Sequence, residues 1–286
     1  MNTQTQRSRG RYVGDGPDPA QDRPVVVFDH VQLAFDENVV LKDMSFTLLS
    51  GRTKIILGAS GSGKSTTLKI ITGLLRADAG AVTVNGHRVD LLTETQMMPV
   101  RADLGMIFQE GALFDSLTVR ENVGYKLFEE SDMPIDEANR RVEEVLGFVG
   151  LSEFIDRMPS ALSGGQRRRV AIARAMAFKP SILLYDEATT GLDPITAITV
   201  NDEIVKLRDL EEVASIVVTH QLRDAFYVAT HMAVRDPAGG VKIVNATPEK
   251  EKETEFIMLR DGLIVFEGDA TDLRKSTDTY LQTFLS

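Results

Sequence analysis

Apolar and polar positions alternate along this chain in two rhythms. Val25-Val26-Val27-Phe28, Phe46-Thr47-Leu48 and Lys54-Ile55-Ile56-Leu57 are short apolar-rich runs between polar or glycine residues, and they predict strands. Ala81-Val82-Thr83-Val84, followed by Asn85-Gly86, predicts a strand that ends in a tight turn. Residues 104–108 predict another, ending at Gln109. Lys64 to about Thr72 predicts a helix that stops at Gly73. From about Ala112 to Leu162 the strand-like runs cease. There Ala138, Val142, Val145, Leu146 and Val149 recur at helical spacing, which predicts a helical insertion. Strands return at 182–185, 215–219 and 231–234, and a closing hairpin is expected over 256–267, turning at Asp261-Gly262. Strands that alternate with helices predict an α/β fold with a mostly parallel sheet covered on both faces.

Residues 1–24 are rich in Gln, Arg, Gly, Asp and Pro and predict a disordered tail. One domain is expected over 25–270, with the helical subdomain at about 112–165 and an insertion at about 236–255. That insertion carries Gly239-Gly240 and the charged run Glu249-Lys250-Glu251-Lys252-Glu253 and reads as a solvated surface loop, with a regulatory or partner-binding insertion as the alternative. Residues 271–286 form a C-terminal tail or helix, with Tyr280, Leu281, Phe284 and Leu285 at helical spacing. Arg167-Arg168-Arg169 reads as a solvated helix face.

The length of 286 residues suits one α/β domain with insertions. A net charge of −10 argues against nucleic acid as a partner, which a basic face would attract. With no cysteine, a disulfide framework, a thiolate nucleophile and a Cys-ligated zinc are excluded, and a reducing cytoplasm is suitable. No run approaches the roughly 18 apolar residues of a membrane span, and residues 1–23 lack the apolar centre of a signal peptide. A membrane served by this chain is expected to be crossed by another.

Gly58-Ala59-Ser60-Gly61-Ser62-Gly63-Lys64-Ser65 fits the phosphate-loop pattern G-x-x-x-x-G-K-[ST], between a predicted strand and a predicted helix. Glycines let backbone N–H groups close on phosphates, and the helix start adds a positive dipole end. Lys64 is expected at the β- and γ-phosphates and Ser65 on Mg²⁺. Ile182-Leu183-Leu184-Tyr185-Asp186-Glu187 puts Asp186 at the carboxyl edge of a buried strand, where α/β sheets bind ligands. Asp186 is a candidate magnesium carboxylate and Glu187 a candidate general base.

Leu162-Ser163-Gly164-Gly165-Gln166 lies between these two motifs. In this order the three resemble those of the ATP-binding-cassette (ABC) ATPases over roughly residues 25–268. The resemblance implies a P-loop ATPase fold: a RecA-like, mostly parallel core, an antiparallel β subdomain and a helical subdomain. It implies ATP and Mg²⁺ as cofactors, with Gly58, Ala59, Ser60, Gly61, Ser62, Gly63, Lys64, Ser65 and Thr66 at the phosphates and Phe35 stacked on adenine. Phe35 stands where the family usually has Tyr. Gln109 would contact Mg²⁺ and the attacking water, and His220 the γ-phosphate. Ser163, Gly164, Gly165 and Gln166 would meet ATP held by a second subunit, and Asp193 would cross the dimer. One chain carries one such set, so a homodimer is implied. Thr190-Gly191 before Leu192-Asp193 departs from the commoner Ser-Ala.

Gly111-Ala112-Leu113-Phe114, just after Gln109, resembles the ATPases of the Mla/Mce lipid transporters, as does Tyr185 before the acids. That resemblance implies lipid transport, an integral-membrane permease, an MCE-domain lipid-binding protein and a place on the cytoplasmic face of the inner membrane. It also allows the C-terminal tail to pack on the opposite subunit as readily as on its own. Two alternatives stand beside it. One is an importer ATPase for amino acids or other small solutes. The other is a cassette that regulates an envelope complex and transports nothing.

Overall fold

The structure is a computed structural model and describes residues 23–237 and 239–285. The expected disordered tail lies outside the described residues except for Arg23 and Pro24, and Pro24 already opens the first strand. In chain order the elements are β1 (Pro24–Phe35), β2 (Asn38–Leu49), β3 (Thr53–Gly58), α1 (Lys64–Ile71), β4 (Ala79–Val84), β5 (His87–Arg88), α2 (Glu94–Ala102) and β6 (Leu104–Ile107). Three helices follow, α3 (Val119–Glu130), α4 (Ile135–Phe148) and α5 (Gly164–Met176). Then come β7 (Ile182–Asp186), α6 (Pro194–Leu210), β8 (Ala214–Val218), α7 (Leu222–Thr230), β9 (His231–Arg235) and β10 (Val241–Asn245). The chain closes with α8 (Pro248–Glu251), β11 (Thr254–Arg260), β12 (Leu263–Gly268), α9 (Ala270–Lys275) and α10 (Thr279–Leu285).

The main sheet has the order β12-β11-β3-β8-β7-β6, and all of its strands are parallel except β12. Every residue of β3 is buried, as expected of a parallel strand covered on both faces. Successive side chains point to opposite faces and feed two cores. Ile55, Leu57, Leu183, Tyr185, Val217, Phe256 and Met258 face helices α3 to α6. Ile56, Leu184, Ile216, Val218 and Ile257 meet Leu68, Ile71, Met97 and Val100 and the antiparallel sheet β2-β1-β4-β5.

Between β6 and α5 the described chain has helices and turns and no strand. Thr118 starts α3 with a capping box: its hydroxyl accepts from the Glu121 N–H, and the Glu121 carboxylate accepts from the Thr118 N–H. The periodic residues Ala138, Val142, Val145, Leu146 and Val149 are all buried.

The segment 236–255 is largely exposed, as expected, but holds a strand and a short helix rather than a loop. Val241-Lys242-Ile243-Val244 alternates and pairs antiparallel with β9. Thr247 caps α8, and Lys250 Nζ lies 2.9 Å from the buried Asp209. Thr254 and Glu255 already belong to β11, in register with Thr53 and Lys54. The C-terminal helix packs on its own domain, where Leu281 is buried and the Arg260 guanidinium lies 4.6 Å from the Tyr280 ring centroid. Among the described residues no helix is long and apolar enough to cross a membrane.

Candidate nucleotide site

β3 delivers the chain into the phosphate loop, and α1 begins at Lys64 with Gly63 as its cap. Gly63 has φ 104°, and a Cβ there would stand 2.7 Å from Leu41 Cδ2, so the position requires glycine. No side chain caps α1, which leaves its first N–H groups directed at a cleft of about 330 Å³. Asn38, Val40, Ser60, Gly61, Gly63, Lys64, Ser65, Thr66 and Glu187 line that cleft. The buried Lys64 Nζ donates to the carbonyls of Gly58 (2.9 Å) and Ala59 (3.0 Å) and stands 3.8 Å from Glu187 Oε1. Burial pushes its pKa down, and Glu187 and Asp186 pull it back.

Ser65 Oγ donates to Asp186 Oδ1 at 2.8 Å. Burial raises the Asp186 carboxyl, and the Ser65 hydrogen bond opposes that rise. One hydroxyl and one carboxylate side by side are the hard-oxygen donors that Mg²⁺ accepts alongside phosphate oxygens and water. Among the described residues no group of three or more His, Asp or Glu gathers as an all-protein metal cage. A magnesium ion that arrives with a nucleotide therefore fits the donor set.

Glu187 follows the end of β7 with φ 51°, a left-handed backbone that costs a non-glycine residue about 1 kcal/mol or more. Its conformation is held by its own N–H, which donates to the Val218 carbonyl at 2.9 Å, and by Thr190 Oγ1, which donates to Oε2 at 3.2 Å. Oε1 lies 3.1 Å from His220 Nδ1. A carboxylate aimed between a lysine and a histidine at a phosphate cleft can orient a water and take its proton.

Phe35 ends β1, half-exposed and paired with Asn38 on the same hairpin as the cleft-lining Val40. Gln109 stands exposed beyond β6. Residues 163–166 do not line the Lys64 cleft. Ser163 instead caps α5, accepting from the Gln166 N–H at 3.2 Å, while Gln166 Oε1 accepts from the Ser163 N–H at 2.8 Å. Asp193 caps α6, accepting from the N–H groups of Ile195 and Thr196. The two caps touch, since a Cβ on Gly165 would stand 2.1 Å from Thr196 Cγ2.

The three arginines that follow Gln166 do not form a solvated face. Arg168 is only 6% exposed, and Arg167 and Arg169 donate to the carbonyls of Leu162 (2.7 Å) and Val149 (2.8 Å). Asn122 is a further residue without a motif to announce it. It is fully buried, accepts from the Phe114 N–H and donates to the carbonyls of Phe114, Leu117 and Thr118, fixing the segment that follows Gln109.

A family model described as ABC transporter matches residues 41–190, more than half of the chain. The chain belongs to the ABC transporter family and carries its ATP-hydrolysing domain. It is 39% identical over 246 residues to the methionine import ATP-binding protein MetN of Bifidobacterium longum, covering 82% of this chain and 61% of that protein. It is 37% identical over 263 residues to the chloroplastic protein Trigalactosyldiacylglycerol 3 of Arabidopsis thaliana, covering 89% of this chain and 71% of that one. The chain thus spans about three fifths of the length of the methionine-import relative. Among solved structures, the ATP-binding cassette MJ0796, a dimer in a post-hydrolysis state with ADP and Pi, superposes with a TM-score of 0.70 at 30% identity. That match covers 85% of this chain and 98% of the cassette.

Proposed function

We propose that this chain is the ATPase subunit that drives a separate membrane permease, two copies closing on two ATP molecules. One observation carries this reading. Lys64, Ser65 and Glu187 line one cleft, Asp186 accepts from Ser65 and His220 stands 3.1 Å from Glu187, while residues 163–166, at the start of α5, are not among the lining residues. A second copy supplies the missing wall, and the related cassette solved as a dimer supports that arrangement. Lys64 and the backbone of 58–66 hold the phosphates, and Phe35 stacks on the base. Ser65 and Asp186, with Gln109, hold Mg²⁺, which neutralises phosphate charge when bound. Glu187 takes the proton of the attacking water, His220 touches the γ-phosphate, and Asp193 works across the dimer. Phe114 and Tyr125, exposed and 4.8 Å apart beside the Gln109 segment, offer an apolar seat for the permease on the cytoplasmic face.

The relatives back import of a small solute better than movement of lipid. Proteins named for methionine import match at 34–40% identity from several bacteria. The lipid reading keeps one specific observation: the relative named for a galactolipid matches 89% of this chain, against 82% for the Bifidobacterium protein. The expected MCE-domain partner gains no support from these names. Capture of the chain from solubilised native membranes decides between them. A permease with a solute-binding protein establishes import, a permease with an MCE-domain protein and bound lipid establishes lipid transport, and no permease overturns the transport reading.

A further inference from the structure

Helix α5 carries an arginine that serves neither the surface nor the nucleotide cleft. Arg168 Nε donates to the Ala188 carbonyl at 2.9 Å, Nη2 to the Thr190 carbonyl at 3.2 Å and Nη1 to the Phe108 carbonyl at 3.5 Å. These carbonyls belong to the residue before Gln109 and to the two sides of Thr189, just after Glu187. One side chain thus ties helix α5 to the loop after β7, which carries the cleft-lining Glu187, and to the loop after β6, which carries Gln109. A second arginine of the same helix strengthens the tie, since Arg174 donates to the carbonyls of Gly111 (3.0 Å) and Ala112 (2.8 Å). Each loop so held contains a left-handed non-glycine residue: Glu187 has φ 51° and Ala112 φ 48°. A left-handed backbone at such residues persists only where its surroundings fix it.

We infer that Arg168 is a positioning residue for ATP hydrolysis, a buried fork that sets Glu187 and Gln109 relative to helix α5. It touches no substrate and acts through the backbone of its neighbours. The guanidinium is suited to this because its donors diverge in a fixed plane toward three acceptors at once. The inference rests on Glu187 being the base.

The test compares Arg168→Met, of similar length without donors, with Arg168→Lys. Purified proteins are assayed for MgATP hydrolysis with kcat and KM separated, for binding of fluorescent ATP and for thermal melting. Arg168→Met is expected to lose about tenfold in kcat, a barrier increase of about 1.4 kcal/mol. Its KM and nucleotide affinity stay within about twofold, because the Lys64 cleft is untouched. Arg168→Lys recovers part of the rate, since one ammonium reaches fewer of the three carbonyls. A folded Arg168→Met with wild-type kcat overturns the inference. Should that variant fail to fold, Arg168→Lys decides alone, and a wild-type kcat in it overturns the inference equally. Glu187→Gln is run alongside. Undiminished hydrolysis there removes the base assignment, whatever Arg168 does.

Discussion

Gly165→Ala separates a packing requirement from a motif. The added Cβ would stand 2.1 Å from Thr196 Cγ2, where carbon atoms pack comfortably at about 3.5–4.0 Å. Thr196 has little freedom to yield. Its Oγ1 donates to Asp193 Oδ2 at 2.5 Å and its N–H to Asp193 Oδ1 at 3.1 Å. Overpacking of this kind costs about 1–3 kcal/mol. Displacing Thr196 also loosens the Asp193 cap, worth about 1 kcal/mol. Replacing glycine in a helix returns about 0.5–1 kcal/mol. The net expectation is a destabilisation of about 1–3 kcal/mol, each kcal/mol lowering Tm by roughly 2–4 °C for a domain of this size. Thr196→Ser deletes the clashing methyl and keeps the hydroxyl on Asp193. Melting curves and ATPase rates of Gly165→Ala, Thr196→Ser and the double variant therefore test the clash directly. The double variant is predicted to recover both stability and rate. A Gly165→Ala protein that melts and hydrolyses like the wild type refutes the reasoning, and so does a double variant that stays impaired.

Lys64→Ala removes the buried ammonium from the phosphate cleft, and with charge-assisted bonds worth about 1.5–3 kcal/mol each, ATP affinity should fall at least about tenfold in a fluorescent-nucleotide titration. Asp209→Asn should destabilise the fold by about 3–5 kcal/mol, because Arg208 and Lys250 lose their shared buried carboxylate. Although burial alone would raise it, Arg208 and then Lys250 hold the Asp209 pKa below its ordinary 3.8. The stabilisation is thus present above pH 3.8 and lost as pH falls through the lower folded value. Denaturant melts should show the wild type and Asp209→Asn converging only below that pH.

The phosphate loop was legible because glycine spacing and a lysine-serine pair leave little alternative between a strand and a helix. Asp186 and Glu187 were legible because an apolar run must end where the sheet does. Arg168 was misread because a run of three arginines looks solvated, yet Gly165, Arg168 and Ile172 lie one helical turn apart and all are buried. That periodicity was the available signal. Val241-Lys242-Ile243-Val244 after two glycines likewise held a strand pattern that the neighbouring charged run obscured. The His220–Glu187 approach and the contact between the Gly165 and Asp193 caps depend on long-range packing that no local pattern encodes.

The central claim is that ATP clamps two copies together and that Glu187 then opens the clamp by hydrolysis. Light scattering on a sizing column with the Glu187→Gln variant tests it most directly, with and without MgATP. The predicted result is one chain of 31.5 kDa without nucleotide, twice that mass with MgATP, and turnover reduced to background. A variant that binds ATP yet stays at the mass of one chain, or that hydrolyses at the wild-type rate, contradicts the account.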